Sequence, residues 1–189
     1  MTARDGGSAL ITDIRRKTNS GTADYSTAGV TYWTDDQIQD ELDKRRHDVY
    51  REIIYPADVL DPANEQYDFY LQHCPVEGTV SGTVWFVVTD SVGSVVTNYT
   101  LEQFTGRITF DSDTDDNYYV DYKWFDLERT AASIWRDKAA YYASEFDISS
   151  DNHSLKRSQK VSQAMAMADY WERSAKPMVV RMKRRDVLK

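Results

Sequence analysis

The stretch FDLERTAASIWRDKAAYYASEFDISSDNHSLKRSQKVSQAMAMADYWERSA, residues 125–175, decides how the rest of the chain is organised. Its first part sets Leu127, Ala131, Ile134, Trp135, the aliphatic stem of Lys138, Tyr142 and Phe146 at steps of three and four, one stripe of a helix. Asp126 stands where a side-chain oxygen caps the first turn. The elbow FDISSDNHSLKRSQK, residues 146–160, is dense in Asp, Asn and Ser, whose side chains compete for backbone hydrogen bonds and break helices. Ser154 is the expected cap of a second helix with the stripe Val161, Ala164, Met165, Ala168 and Trp171. A short elbow between two helices favours an antiparallel pair. Alanines at 139, 140, 143, 164, 166 and 168 let the backbones come close. This pair reads as a scaffold, with Trp135, Tyr142, Met165 and Trp171 in its core or at an inter-subunit face.

Upstream, SALITDIRRKT (8–18) predicts a short helix in which Ser8 caps and Leu10, Ile11 and Ile14 share a face. Arg15, Arg16 and Lys17 suit its C-terminal end. Residues 19–31, rich in Ser, Thr, Gly and Ala, read as a loop. Thr34 and Gln37 then form a capping box, Asp35 and Asp36 fill the first turn, and Tyr32 and Trp33 can staple the start. Ile38, Leu42, Val49 and Ile53 give that helix its buried stripe, and Pro56 and Pro62 bound the connection that follows.

From residue 65 the apolar period changes to two. Tyr67, Phe69 and Leu71 alternate with polar neighbours, TVWFVVT (83–89) reads as a strand, Asp90 to Gly93 as a turn and SVVTNYT (94–100) as the return. After a turn at Thr105-Gly106, RITF (107–110) and YYVDYKW (118–124) are expected to pair as a hairpin around the acidic loop 111–117. A small sheet needs one face covered, and Trp85, Tyr99, Phe104, Phe110, Tyr119 and Trp124 can cover it. The expected fold is α+β: an antiparallel helical bundle with an inserted small antiparallel sheet and an extended C-terminal arm. Its parts are N-terminal helices (1–64), a β lobe (65–124), the helical pair (125–175) and a basic arm (176–189).

The formal charge of −8 is unevenly spread. Residues 176–189 hold six cations and one anion, +5 in all, which leaves −8 − 5 = −13 on residues 1–175. A protein that grips duplex DNA is expected to carry a basic face on its folded body, and no basic stretch of the body suggests one. Cys74 is the single cysteine, so there is no intrachain disulfide and no cysteine-rich metal site. MTARDGGSAL lacks the apolar core of a signal peptide, and the longest apolar run, Val84 to Val88, is too short to cross a bilayer.

Chemistry has little support in the residues. Asp111, Asp113 and Asp115 are spaced like the first three ligands of a calcium loop, but Asp116 stands where such a loop has glycine, and Tyr122 where it has a bidentate glutamate. An Asp-rich turn accounts for them equally well. His47, His73 and His153 read as surface or capping groups, and His73 and Cys74, as strand neighbours, point to opposite faces. There is no phosphate-cradling glycine loop, GxSxG or HExxH. No catalytic residue, metal ligand or cofactor is assigned, and a calcium-dependent enzyme using Asp111–Asp116 is the alternative of another class. The arm mixes cations with Met178, Val179, Val180 and Met182, which favours a protein partner over phosphate tracking alone.

Three stretches together resemble a known family. They are an early helix of the form LIxxIRR, an aromatic pair leading TDDQIQDELDKRR, and the β segment GRITF…YYVDYKW followed by the Ala-rich helix and elbow. This arrangement, over roughly residues 8–175, resembles the head–tail connector (adaptor or head-completion) proteins of tailed bacteriophages. The resemblance implies a virion neck protein, assembled in the host cytoplasm as a ring of roughly a dozen copies through head-to-tail contacts between subunits. It implies a portal protein above the ring, a stopper or tail-completion protein below it, and double-stranded DNA passing through without specific binding; no membrane is involved. The arm that grips the portal would be Met178, Val179, Val180, Arg181, Met182, Lys183, Arg184 and Arg185. A stopper or tail-completion protein one layer lower is the alternative within the same setting.

Overall fold

The computed structural model describes residues 4–22, 24–56, 68–78, 85–111, 117–144, 148–150, 153–155 and 157–175. Along the chain these form α1 (Ser8–Thr18), β1 (Ser26–Thr27), β2 (Val30–Thr31), α2 (Asp35–Asp43), β3 (Arg46–Pro56), β4 (Asp68–Tyr70), β5 (Phe86–Thr89), β6 (Val95–Val96), β7 (Tyr99–Glu102), β8 (Arg107–Phe110), β9 (Tyr118–Phe125), α3 (Leu127–Ser144), β10 (Ile148–Ser150), β11 (His153–Leu155) and α4 (Arg157–Ser174). The fold is α+β, with the helices gathered beside one antiparallel sheet.

Each helix begins and ends for a local reason. In α2 the capping box is complete: the Gln37 N–H donates to Thr34 Oγ1 at 3.4 Å and the Thr34 N–H to Gln37 Oε1 at 3.0 Å. Asp126 caps α3 by accepting from the Arg129 N–H at 3.0 Å. The start of α1 departs from expectation, because a 3-10 turn over Asp5–Gly7 leads into it and the Ser8 side chain makes no cap. The exit of α1 is a left-handed Asn19 (φ 51°), a residue type that tolerates this conformation. Leu10, Ile11, Ile14, Ile38, Leu42, Leu127, Ala131 and Ile134 then share one buried helical core.

The helix expected to continue through Ile53 stops at Asp43, and β3 follows. Val49 and Ile53 therefore lie on a strand, and the sheet reaches across the 64/65 boundary suggested by the sequence. The strand order is β6-β5-β9-β3-β4-β8-β7, with every pairing antiparallel. The expected hairpin between RITF and YYVDYKW does not form: β8 pairs with β4 and β7, while β9 pairs with β3 and β5. The return strand 94–100 is split between β6 and β7, which are the two outer edges of the sheet. Only residues 97 and 98 separate those edges along the chain, a span of about 10 Å at full extension. The sheet must curl until its edges approach each other, enclosing its own core. Phe69, Val88, Ile108, Phe110, Val120 and Tyr122 fill that core. Phe110 stacks on Tyr118 with centroids 4.4 Å apart, and Phe69 meets both edge-on. Of the aromatic cover foreseen, Phe110 is buried, but Phe104 is 46% exposed.

Sheet and helices are fastened at one end. Phe125, the last residue of β9, is buried in the helical core, so β9 runs from one core into the other. The Arg4 guanidinium donates to both Asp43 carboxylate oxygens at 2.7 Å and to Glu77 at 2.8 and 3.1 Å, joining the start of the chain to α2 and to the segment after β4. On the far side, α3 and α4 pack antiparallel, with Arg136 3.2 Å from Glu172 at one end and Lys160 over the Tyr142 ring at the other. Ala131, Ala132, Ala139, Ala164 and Ala168 are buried, as a close approach requires. Ser154, expected to cap the second helix, lies instead in β11, which pairs with β10 as a short hairpin within the elbow, and α4 begins at Arg157.

Candidate functional site

Of the four helical-pair residues singled out in the sequence, two converge. The Trp135 indole N–H donates to the Lys17 carbonyl at 3.2 Å, and the Lys17 ammonium lies 4.9 Å from the Trp171 ring centroid. Tyr142 is half-buried beneath Lys160. Met165 is 43% exposed and faces away from the pair's interior, so it is not part of the buried stripe. The arm residues Met178 to Arg185 lie outside the described residues, as do Asp113, Asp115 and Asp116 of the acidic loop. Among the described residues no three His, Cys, Asp or Glu side chains gather closely enough to hold a metal ion.

A cleft of about 490 Å³ lies between the β1–β2 hairpin, α2 and the second half of α3. The Tyr32 N–H donates to the Tyr25 carbonyl at 2.8 Å, which holds these two tyrosines side by side across the hairpin. Their rings stack at 4.9 Å, and Tyr25 stacks on Tyr141 of α3 at 3.9 Å. The wall is thus three tyrosine rings deep. Facing it are Asp40 and Glu41 of α2, Lys44 just past its end, and Asp137, one helical turn before Tyr141.

Charge in this cleft is unbalanced. Glu41 is buried and holds the Lys44 ammonium at 2.6 Å, which raises the pKa of Lys44. Asp40 and Asp137 have no ion pair among the described residues. Burial pushes the Asp137 carboxyl above its ordinary value, and the nearby Glu41 adds to the rise while Lys44 opposes it. Burial likewise raises the Tyr25 hydroxyl, with Asp137 contributing. The Tyr25 ring is covered on both faces by its neighbours, so attraction for a cation comes from the outer rings Tyr32 and Tyr141 and from the carboxylates beside them.

The sequence reading missed this cleft by treating residues 19–31 as loop. A signal existed. Ala28 (φ 52°) and Gly29 (φ 80°) are the two positive-φ residues of a tight hairpin turn. The flanking Tyr25 and Tyr32 are the pair such a turn brings together.

Two other clusters are built around Trp124 and Trp85, the tryptophans expected to cover the sheet. Trp124 lies between His47 and His73, with ring centroids at 4.3 and 5.1 Å. Trp85 has Lys123, Arg4 and Arg46 over its ring at 3.6, 4.3 and 5.3 Å. The cations around Trp85 are held in ion pairs with Asp43, Glu77 and Asp48, so this cluster is neutralised from within.

Among the described residues no helix is long and apolar enough to cross a membrane. Compared with known proteins, the chain matches no family model, no curated protein and no solved structure.

Proposed function

We propose that this chain is a structural subunit of the neck of a tailed bacteriophage, an adaptor that assembles as a ring between the portal and the stopper or tail. The observation that carries the reading is large apolar side chains exposed on two unlike elements. Met165 and Tyr170 project from different sides of α4, while Tyr50, Ile53 and Tyr70 project from β3 and β4 of the sheet. A closed ring of identical subunits joins two different surfaces head to tail, and exposed apolar anchors on a helix and on a sheet suit that contact better than one self-complementary patch would. Tyr50, at 73% exposure, is the sort of anchor that is costly to leave in water and useful at an interface.

Charge supports the same reading. A channel that passes DNA must not hold it, and each cation on its wall would add phosphate affinity. The −13 of residues 1–175 suits sliding, whereas the apolar and basic residues 176–189 suit a grip on a protein partner such as the portal. The test is electron microscopy of the full chain mixed with its portal rings, with co-sedimentation of the same mixture. An added ring layer on the portal is expected, and deletion of residues 178–189 should abolish it. A mixture in which the full chain neither sediments with the portal nor adds density would overturn the reading.

A further inference from the structure

We propose that the tyrosine-walled cleft between the β1–β2 hairpin, α2 and α3 is a docking site for the chain's own basic C-terminal stretch, with a guanidinium or ammonium group from Arg181–Arg185 seated beside the Tyr32–Tyr25–Tyr141 stack, against one of its two outer rings, between Asp40 and Asp137. The inference goes beyond the neck reading and does not require it.

Complementarity is the first support. The charged groups lining the cleft are Asp40, Glu41, Asp137 and Lys44, a sum of −2. Lys44 already serves Glu41, so the surplus resides on Asp40 and Asp137. The stretch that follows α4 carries +5 and concentrates four cations in the five residues 181–185. A guanidinium suits this cleft in particular, because its plane stacks on a tyrosine face while its edge donates to a carboxylate.

Reach is the second support. The antiparallel packing of α3 and α4, fixed by Arg129 and Arg136 against Glu172 and by Lys160 over Tyr142, puts the end of α4 level with the start of α3. From there to Tyr141 is about 20 Å along α3, at about 1.5 Å per residue. Chain running from Ala175 to Arg181 can span about 20 Å and to Arg185 about 33 Å, at about 3.3 Å per residue. Tethering also lowers the affinity that is needed. A short flexible linker gives an effective concentration in the millimolar range, so a site too weak to capture a free peptide can still be filled by an attached one. If the neck reading also holds, the stretch rests on its own body until the portal takes it up.

The experiment uses the full chain in about 50 mM salt, where surface attraction is least screened. In the first arm, trypsin cleavage after Arg181, Lys183, Arg184 and Arg185 is followed over time in the native protein and in the Asp40→Asn, Asp137→Asn double variant. Cleavage several-fold faster in the variant is expected; equal rates overturn the proposal. In the second arm, a water-soluble carbodiimide joins lysine amines to neighbouring carboxylates in the unmodified chain, which keeps the proposal testable even if the variant folds poorly. Lys183 linked to Asp40 or Asp137 within one molecule is expected. Links spread over unrelated carboxylates overturn the proposal, as do links only between isotopically distinct copies. Portal sedimentation reads the neck assignment separately: a chain that ignores the portal yet shows both cleft results sinks that assignment alone.

Discussion

Replacing Lys138 with methionine removes one charge from the middle of α3 while keeping most of the side-chain volume. Lys138 is 2% exposed, an unusual place for an ammonium group. Its three N–H donors have three acceptors: the Asp24 carboxylate, the Thr18 carbonyl at 2.6 Å and Ser20 Oγ at 3.0 Å. The Thr18 carbonyl belongs to the last turn of α1, whose dipole also favours a cation there. The group therefore ties α3 to the end of α1 and to the strand of chain that enters the β1–β2 hairpin. Breaking a buried pair by removing one partner costs about 3–5 kcal/mol, but Asp24 is 16% exposed and water can reclaim part of its solvation. We expect Lys138→Met to lose about 3 kcal/mol. For a chain of this length that lowers the melting temperature by about 6–12 °C. Urea unfolding at pH 7, followed by far-ultraviolet circular dichroism, measures the loss. The double variant with Asp24→Asn should lose about 1–2 kcal/mol less than the sum of the single losses, since the orphaned carboxylate is then absent. A loss below about 1 kcal/mol for Lys138→Met, or strict additivity in the double variant, would refute the reasoning.

Two further outcomes are expected from folding measurements. Thr34→Ala removes one half of the capping box and should cost about 1 kcal/mol by urea titration, with most of the change recovered by Thr34→Ser. Asp137 gives a pH dependence of known sign. Its pKa is raised by folding, so the folded state holds the proton more tightly than the unfolded state. Its contribution to stability is therefore greatest at low pH and falls as pH rises from the ordinary carboxylate value of about 4 through the raised folded value. In about 500 mM salt, where a basic stretch seated on the cleft is released, Asp137→Asn should flatten that part of the stability profile and raise the urea midpoint at pH 7 relative to pH 4. An unchanged profile would remove Asp137 from the account.

The helices were legible from their apolar stripes, and at α2 and α3 the capping signal agreed as well. Leu10, Ile11 and Ile14, the Thr34–Gln37 box and the Asp126 cap each combine a local signal with a buried face. Strand β3 was hidden by a bulge. Val49 packs against the sheet core and Ile54 lies within it, five residues apart, an odd spacing that would place them on opposite faces of a regular strand. The register shifts between Val49 and Glu52, where Arg51 adopts φ 51° and its N–H donates to Asp121 Oδ1 at 2.6 Å. That extra residue resets the alternation. It also leaves Ile38, Leu42, Val49 and Ile53 at intervals that imitate a helix. Strand order was hidden for a different reason: pairings such as β9 with β3 join residues some seventy positions apart, and no local pattern specifies them. The cleft was missed because its aromatic wall is assembled from a two-residue turn and a helix more than a hundred residues later.

The internal ion pairs bear on both proposals through what they leave over. Arg4, Arg15, Lys17, Lys44, Arg107 and Lys138 each hold a carboxylate of the same chain, and Arg107 keeps the Asp68 carboxyl below its ordinary pKa. Four of these cations fasten elements to one another, Arg4 the two cores, Arg15 the end of α1 to the start of α2, Arg107 β8 to β4 and Lys138 α3 to α1, while Lys17 and Lys44 pair locally with Asp13 and Glu41. Because anions outnumber cations in residues 1–175 by thirteen, such pairing leaves a carboxylate surplus that the body cannot neutralise from its own side chains. The surplus repels phosphate and attracts the basic stretch 176–189, and screening acts on both effects over the same distance. Raising the salt from about 50 to 500 mM should then weaken the seating of the C-terminal stretch while leaving the pairs at Arg4 and Lys138 largely intact, since buried pairs are screened far less than exposed ones. Stability that fell together with C-terminal protection over that range would mean the stretch helps to hold the fold, and its separation from the body as an independent functional part would be lost.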